Sequence, residues 1–229
     1  GGCGGGVIFR WEVAPNPAVS MPDAGFVREA LARCETLVVS DVMADTDTAR
    51  LAHVRLPALA WGEKDGTVTN SERRISRQRA LFSPPGNARA DWAIIADVAA
   101  RMGHGAHFAW TSAAQVFREY AAMTALSPRH GKVLDLSDTA TMTDAQYDAM
   151  EPFLWGGRHP MAGRNGNFVR VAPRPSAADP AFPLRLNTGR YRDQWQTMTR
   201  TGVSPTLSHH RREPLLEVLG LAGDGDERA

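Results

Sequence analysis

The chain has 229 residues, 43% hydrophobic and 22% charged, with a formal net charge of +1 at pH 7. That balance is ordinary for a globular protein, and so small a charge supplies no basic field for nucleic acid or an acidic membrane. No apolar run approaches the roughly 20 residues that cross a bilayer. The two cysteines, Cys3 and Cys34, lack CxxC spacing and argue against a disulfide framework or a cysteine-built metal site. The glycine-rich start and the polar run over 223–229 lead us to expect a stretch of a longer protein, so the missing targeting signal carries no weight.

In chain order, residues 7–13 predict a strand that alternates because of Arg10 and Glu12, closed by the turn Ala14-Pro15-Asn16-Pro17. Pro22 and Asp23 open a helix with Phe26, Val27, Ala30 and Leu31 on one face. The run Leu37-Val38-Val39 predicts a buried strand ending abruptly at Ser40-Asp41. A shorter strand over 53–56 stops at Pro57. Strand, helix and strand make a βαβ unit, so the strands are parallel. Asn16, Ser40 and Asp41 then face one crevice at the carboxyl ends, joined by the loop after Leu56. Beyond it, WGEKDGT over 61–67 and NSERR over 70–74 read as polar loops.

Three helices are expected next. Residues 91–102 place Trp92, Ile95, Val98 and Met102 inward, with Gly103 as the C-terminal cap. Ser112 with Gln115 forms a capping box ahead of Val116, Phe117, Tyr120 and Ala121. Thr143 with Gln146 repeats it ahead of Tyr147 and Met150, and Asp148 reads as an inert helix-face carboxylate. From Trp155 the composition shifts to Gly156, Gly157, Gly163 and Gly166, then Pro173, Pro175, Pro180 and Pro183. Short extended runs over 168–171 and 184–186 lie among them. We therefore expect an α/β domain over 1–155 and the start of an all-β element over 165–229.

Few residues carry chemistry. Asp41 either satisfies amides of its own turn or accepts two N–H groups from a guanine edge, with Ser40 bonding the sugar or phosphate beside it. Asp91 is either a helix cap or a ligand group, and Asn16 either a turn residue or a ligand group. Glu63-Lys64-Asp65 is either a solvated cluster or, beside Gly66-Thr67, a place where Lys64 meets a phosphate. Thr188-Gly189-Arg190 at a strand end, followed by Asp193-Gln194-Trp195-Gln196-Thr197, is either a barrel turn or a cradle for a polar heterocycle or pyrophosphate. Arg73 and Arg74 read as structural. His209-His210 lacks both metal-ligand spacing and a nearby carboxylate partner, and reads as surface histidine.

Taken together, Asn16-Pro17, Val38-Val39-Ser40-Asp41, EKDGT over 63–67 through Arg74, and Thr188-Gly189-Arg190 to Gly202 resemble the C-terminal half of molybdopterin oxidoreductases of the dimethyl-sulfoxide-reductase family. RDQWQTMTRTG over 192–202 is similar to the assimilatory nitrate reductase branch, whereas EKDGT is shared with formate dehydrogenases. The resemblance covers residues 7–217. It implies a parallel-sheet domain that binds molybdopterin guanine dinucleotide, followed by the start of a double-psi barrel. The cofactor implied is bis(molybdopterin guanine dinucleotide)molybdenum, and the 4Fe-4S cluster of the full enzyme is expected upstream, not on this segment. The implied contacts are Asn16, Ser40, Asp41, Lys64, Asp91, Thr188, Gly189, Arg190, Gln194, Trp195, Gln196 and Thr197.

The implied activity is reduction of nitrate to nitrite by oxygen-atom transfer in a cytoplasmic enzyme served by an electron-donor protein or subunit, the segment alone being inactive. The alternatives are a formate dehydrogenase fragment or a stand-alone α/β nucleotide-binding module. Two departures stand out. His53 replaces the family's usual Asp, and Gln196 replaces a usual His, keeping a hydrogen-bonding side chain but losing the imidazole.

Overall fold

A computed structural model describes residues 7–156, 169–173, 179–181, 186–195 and 197–210. The chain divides into two compact units, 1–174 and 175–229. The extended runs expected over 168–171 and 184–186 lie partly outside the described residues, and Gln196 lies wholly outside them. Among the described residues no helix is long and apolar enough to cross a membrane.

The first unit opens on a three-stranded parallel sheet in the order β1 (Phe9–Val13), β2 (Thr36–Asp41), β3 (Val54–Pro57). Two short helices, α1 (Pro17–Ser20) and α2 (Ala24–Ala32), link β1 to β2, and α3 (Asp47–Arg50) links β2 to β3. Central β2 buries Leu37 to Ser40 without a break, as expected of a parallel strand covered on both faces. Leu37 and Val39 pack with Ala18, Leu31 and Ala49 from the helices and with Cys34 just past α2. Phe26, expected inward, is exposed, because α2 turns Leu31 and, in part, Val27 into this core.

The two polar segments keep their loop character over 61–65 and 70–73, but between and beyond them runs a hairpin that was not expected. Strands β4 (Gly66–Thr69) and β5 (Arg74–Gln78) pair antiparallel, and β6 (Phe153–Leu154) adds to β5. The turn is held by Asn70, whose Oδ1 accepts from the amides of Glu72 at 3.0 Å and Arg74 at 2.9 Å. Only Ile75 of β5 is buried; the charged residues around it hid the strand from a hydrophobic pattern.

Of the following helices, α4 (Asp91–Arg101) buries Ile94 and Ala99 and leaves Met102, the residue just after it, exposed. This corrects the expected face of Trp92, Ile95, Val98 and Met102. Periodicity fixes that a face is apolar, while neighbours choose how much of it is covered. Helix α5 (Ala113–Thr124) is capped by Ser112, whose Oγ accepts from the Gln115 amide at 3.3 Å. The Gln115 side chain reaches back to the Thr111 amide rather than to that of Ser112, so the box is half formed. Thr143 and Gln146 form the complete box before α6 (Asp144–Asp148).

Phe117 and Ala121 of α5 and Tyr147 of α6 join Ile75, Ala114 and Leu136 in a second core, with Tyr120 outside it. Asp148 is not inert: it accepts from Arg77 Nη2 at 3.1 Å, and its carbonyl accepts from Arg79. In the second unit the described residues include one helix, α7 (Pro205–Ser208).

Candidate cofactor-binding site

Register aligns the carboxyl ends of the parallel sheet, with Val13 opposite Ser40 and Asp41 opposite Pro57. Ala14 leaves β1 at φ 71°, in the left-handed region, while its amide bonds Ser40 O at 2.8 Å. Three residues past β1, Asn16 turns Oδ1 to the amide of Thr48 at 3.2 Å and its hydroxyl at 2.7 Å. The Thr48 hydroxyl in turn accepts from the Ala18 amide. Asn16 thus ties the end of β1 to α3 at this edge.

Ser40 and Asp41 sit side by side, yet successive strand residues point to opposite faces. The Ser40 hydroxyl accepts from Trp11 Nε1 at 2.9 Å and is 1% exposed. It is therefore spent on packing the face opposite to Asp41. Asp41 Oδ1 accepts from the amides of Val42 at 2.6 Å and Met43 at 3.2 Å, shaping its own turn. Asp41 also borders a small cleft of about 90 Å³ with Val42, Met43, Arg55 and Pro57. Arg55 drew no attention in the sequence. Its signal there was parity, two residues before Pro57 and so on the same strand face.

Beyond β3 the chain bridges Ala58 to Arg89 and brings Lys64 to the start of α4. Lys64 Nζ lies 2.7 Å from Asp91 Oδ2. Asp91 is the first helical residue and not the N-cap, which is Ala90. Its Oδ1 is buried with no hydrogen-bond partner among the described residues. His53, by contrast, lies at the other end of β3, where Nδ1 accepts from the Leu37 amide at 2.9 Å and clasps β2 to β3. The imidazole here makes a structural contact at the strand start.

In the second unit, Thr188, Gly189, Arg190, Gln194 and Trp195 line one cavity of about 550 Å³, together with Tyr191 and Met198 from the same stretch. A Cβ built on Gly189 would meet nothing within 4 Å, so the bare backbone is accessible. Gln194 is buried and internally engaged, donating to Leu207 O at 3.1 Å and accepting from Thr201 Oγ1 at 2.6 Å. Trp195 is 65% exposed. Thr197 is not among the lining residues; its hydroxyl accepts from Thr199 Oγ1 at 2.9 Å. His210 lies at the surface, as expected, but not without a carboxylate: its Nδ1 lies 3.7 Å from Asp193 Oδ2. Arg192, hydrogen-bonded to Asp193, holds that carboxyl below the usual carboxylate value.

Residues 4–101 match the family model described as Molybdopterin oxidoreductase. A protein named nitrate reductase from Klebsiella oxytoca is 50% identical over 226 residues, covering 93% of this chain and 26% of its own length. An assimilatory nitrate reductase from Haloferax mediterranei is 36% identical, covering 83% of this chain and 29% of its own. The alpha subunit of an F420-dependent formate dehydrogenase from Methanocaldococcus jannaschii is 33% identical, covering 94% and 32%. The chain therefore spans about a quarter to a third of the length of these curated relatives. By that match and these identities the chain belongs to the molybdopterin oxidoreductase family.

Proposed function

We propose that the chain is the molybdopterin guanine dinucleotide-binding portion of a nitrate reductase. The observation that carries this reading is the 50% identity to a protein named nitrate reductase, against 33% to the formate dehydrogenase subunit. The residues present fit such a group. Asp41 offers a carboxylate at a cleft, and Asp91 Oδ1 is a buried acceptor with no donor among the described residues, both suited to ligand N–H or O–H groups. Lys64, held by Asp91, brings positive charge for a phosphate.

Asp41 and Asp91 accept from the ligand, Lys64 steadies its charge, and Asn16 keeps the edge in shape through Thr48. Ser40 supports the edge by anchoring Trp11. In the second unit Thr188, Gly189 and Arg190 supply hydroxyl, open backbone and guanidinium, with Trp195 as an aromatic wall. Gln194 holds that wall in place, and Gln196 and Thr197 belong to the same run. We assign residues 165–229 to the start of a double-psi barrel and place the enzyme in the cytoplasm. When bound, the cofactor supplies oxygen-atom transfer, reducing nitrate to nitrite and water with two protons and two electrons from a donor protein. The 4Fe-4S cluster that relays those electrons belongs to another part of the polypeptide, and the chain by itself is inactive.

The test is molybdenum and guanine nucleotide retained per complete enzyme. Asp41→Ala should weaken retention about tenfold to a hundredfold, since an unpaired buried donor costs about 1–3 kcal/mol. Asp41→Asn preserves one acceptor for the Val42 and Met43 amides and should recover only part. Glu151, exposed and without a recorded partner, is the matched control in Glu151→Ala. Equal retention in the Asp41 and Glu151 variants would remove Asp41 from the site.

A further inference from the structure

We infer that Arg55 reads the guanine base alongside Asp41, making this cleft selective for guanine over adenine. The inference rests on the proposed binding of a guanine dinucleotide and adds a residue to it. Val39 pairs with Arg55 and Asp41 with Pro57. Partners in register project to the same face, so Arg55 and Asp41 share the face that Ser40 avoids. Diagonal neighbours on adjacent strands lie about 7–8 Å apart, within reach of a long side chain. Both residues border the same cleft.

The guanidinium is directed toward the carboxyl edge, where Nη1 donates to Ala44 O at 3.3 Å. That is one hydrogen bond for a group with five N–H donors. The acid nearest in sequence to that carbonyl, Asp45, is held by two hydrogen bonds from Arg50, at 2.7 and 2.9 Å, and Arg55 acts on it through its charge without a hydrogen bond. Among the described residues no other hydrogen bond to Arg55 is recorded, so most of its donors remain for a ligand.

The chemistry of the pair is complementary to one base. Guanine offers N–H donors at N1 and N2 and acceptors at O6 and N7. A carboxylate accepts from the first pair, and an arginine fork donates to the second. Adenine presents an N6 donor where guanine has O6, which faces a cation, and an unprotonated N1 toward the carboxylate. Each residue thus meets its match on guanine and a like group on adenine. An arginine that merely guards an exposed edge strand would have no such preference.

The test uses the complete enzyme purified without its cofactor, with GDP, ADP and 7-deaza-GDP as soluble probes in calorimetric titrations. The parent should prefer GDP to ADP. Arg55→Met should lose about tenfold in GDP affinity, with ADP affinity unchanged or higher. Arg55→Lys, a single charged point in place of a fork, should recover part. Removing N7 should weaken binding to the parent and not to Arg55→Met. Thermal unfolding confirms that each variant is folded. If Arg55→Met keeps the parent's GDP-to-ADP ratio, Arg55 is excluded while the guanine reading stands. A parent with no preference for GDP overturns both.

Discussion

The two sheets of the first unit use charge in opposite ways. At the carboxyl edge of β1–β2–β3, Asp41 and Arg55 border a cleft, with few of Arg55's donors used inside the protein. In β4–β5–β6, Arg77 is 4% exposed in its side chain and closed in by protein groups. Its Nη1 lies 2.9 Å from Asp65 and donates to the carbonyls of Gly66 at 2.6 Å and Gln78 at 3.0 Å. Its Nη2 meets Asp148, and its plane sits 4.1 Å over the Tyr147 ring. The difference lies in what each arginine is bonded to. Arg77 rivets β4, β5 and α6, whereas Arg55, with one hydrogen bond among the described residues, borders a cleft beside Asp41.

The largest effect should come from removing that rivet. Arg77→Met strips two carbonyls and two carboxylates of their donor and loses the stacking on Tyr147, a cost of about 2–4 kcal/mol. Chemical denaturation should show it, with nucleotide affinity unchanged where the protein is still folded. A loss of affinity in the folded variant would erase the distinction between the two sheets.

A smaller effect lies beside it. The Tyr147 hydroxyl is buried without a hydrogen-bond partner among the described residues, and burial raises its pKa above the usual 10. The unfolded chain therefore releases this proton first, so stability falls as pH rises through 10 toward the higher folded value. Tyr147→Phe should abolish that part of the alkaline loss and raise stability at neutral pH by up to about 1 kcal/mol. A variant that loses stability at pH 7 would show that the hydroxyl has a partner.

The smallest concerns the edge itself. Ala14 holds φ 71°, a conformation that costs a residue with a Cβ. Ala14→Gly should raise the midpoint of thermal unfolding by an amount equivalent to about 0.5 kcal/mol, net of the greater freedom of glycine when unfolded. An unchanged or lower midpoint would mean that the turn is relaxed and the edge unstrained.

Much of the site's outline was legible along the chain. Leu37-Val38-Val39 announced β2, Pro57 marked the end of β3, and the βαβ order brought Asn16 and Asp41 to one edge. The two-residue strand period also carried a warning that Ser40 and Asp41 could not share a face. What stayed hidden were pairings between distant segments: Arg77 with Asp148, 71 residues on, and Lys64 with Asp91, 27 residues on. The β4–β5 hairpin was missed because charged and polar residues surround Ile75, its one buried member.

The sequence by itself determined the family, the order of the parallel strands and the position of their carboxyl ends, because these follow from motifs and local periodicity. The tertiary structure alone decided which charges are spent. Strand register put Arg55 on Asp41's face, and packing closed Asp148 onto Arg77 and gave Asp91 Oδ1 no donor among the described residues. Periodicity acts over a few residues, whereas a partner is chosen by which segments folding brings together, and that depends on the whole unit packing at once.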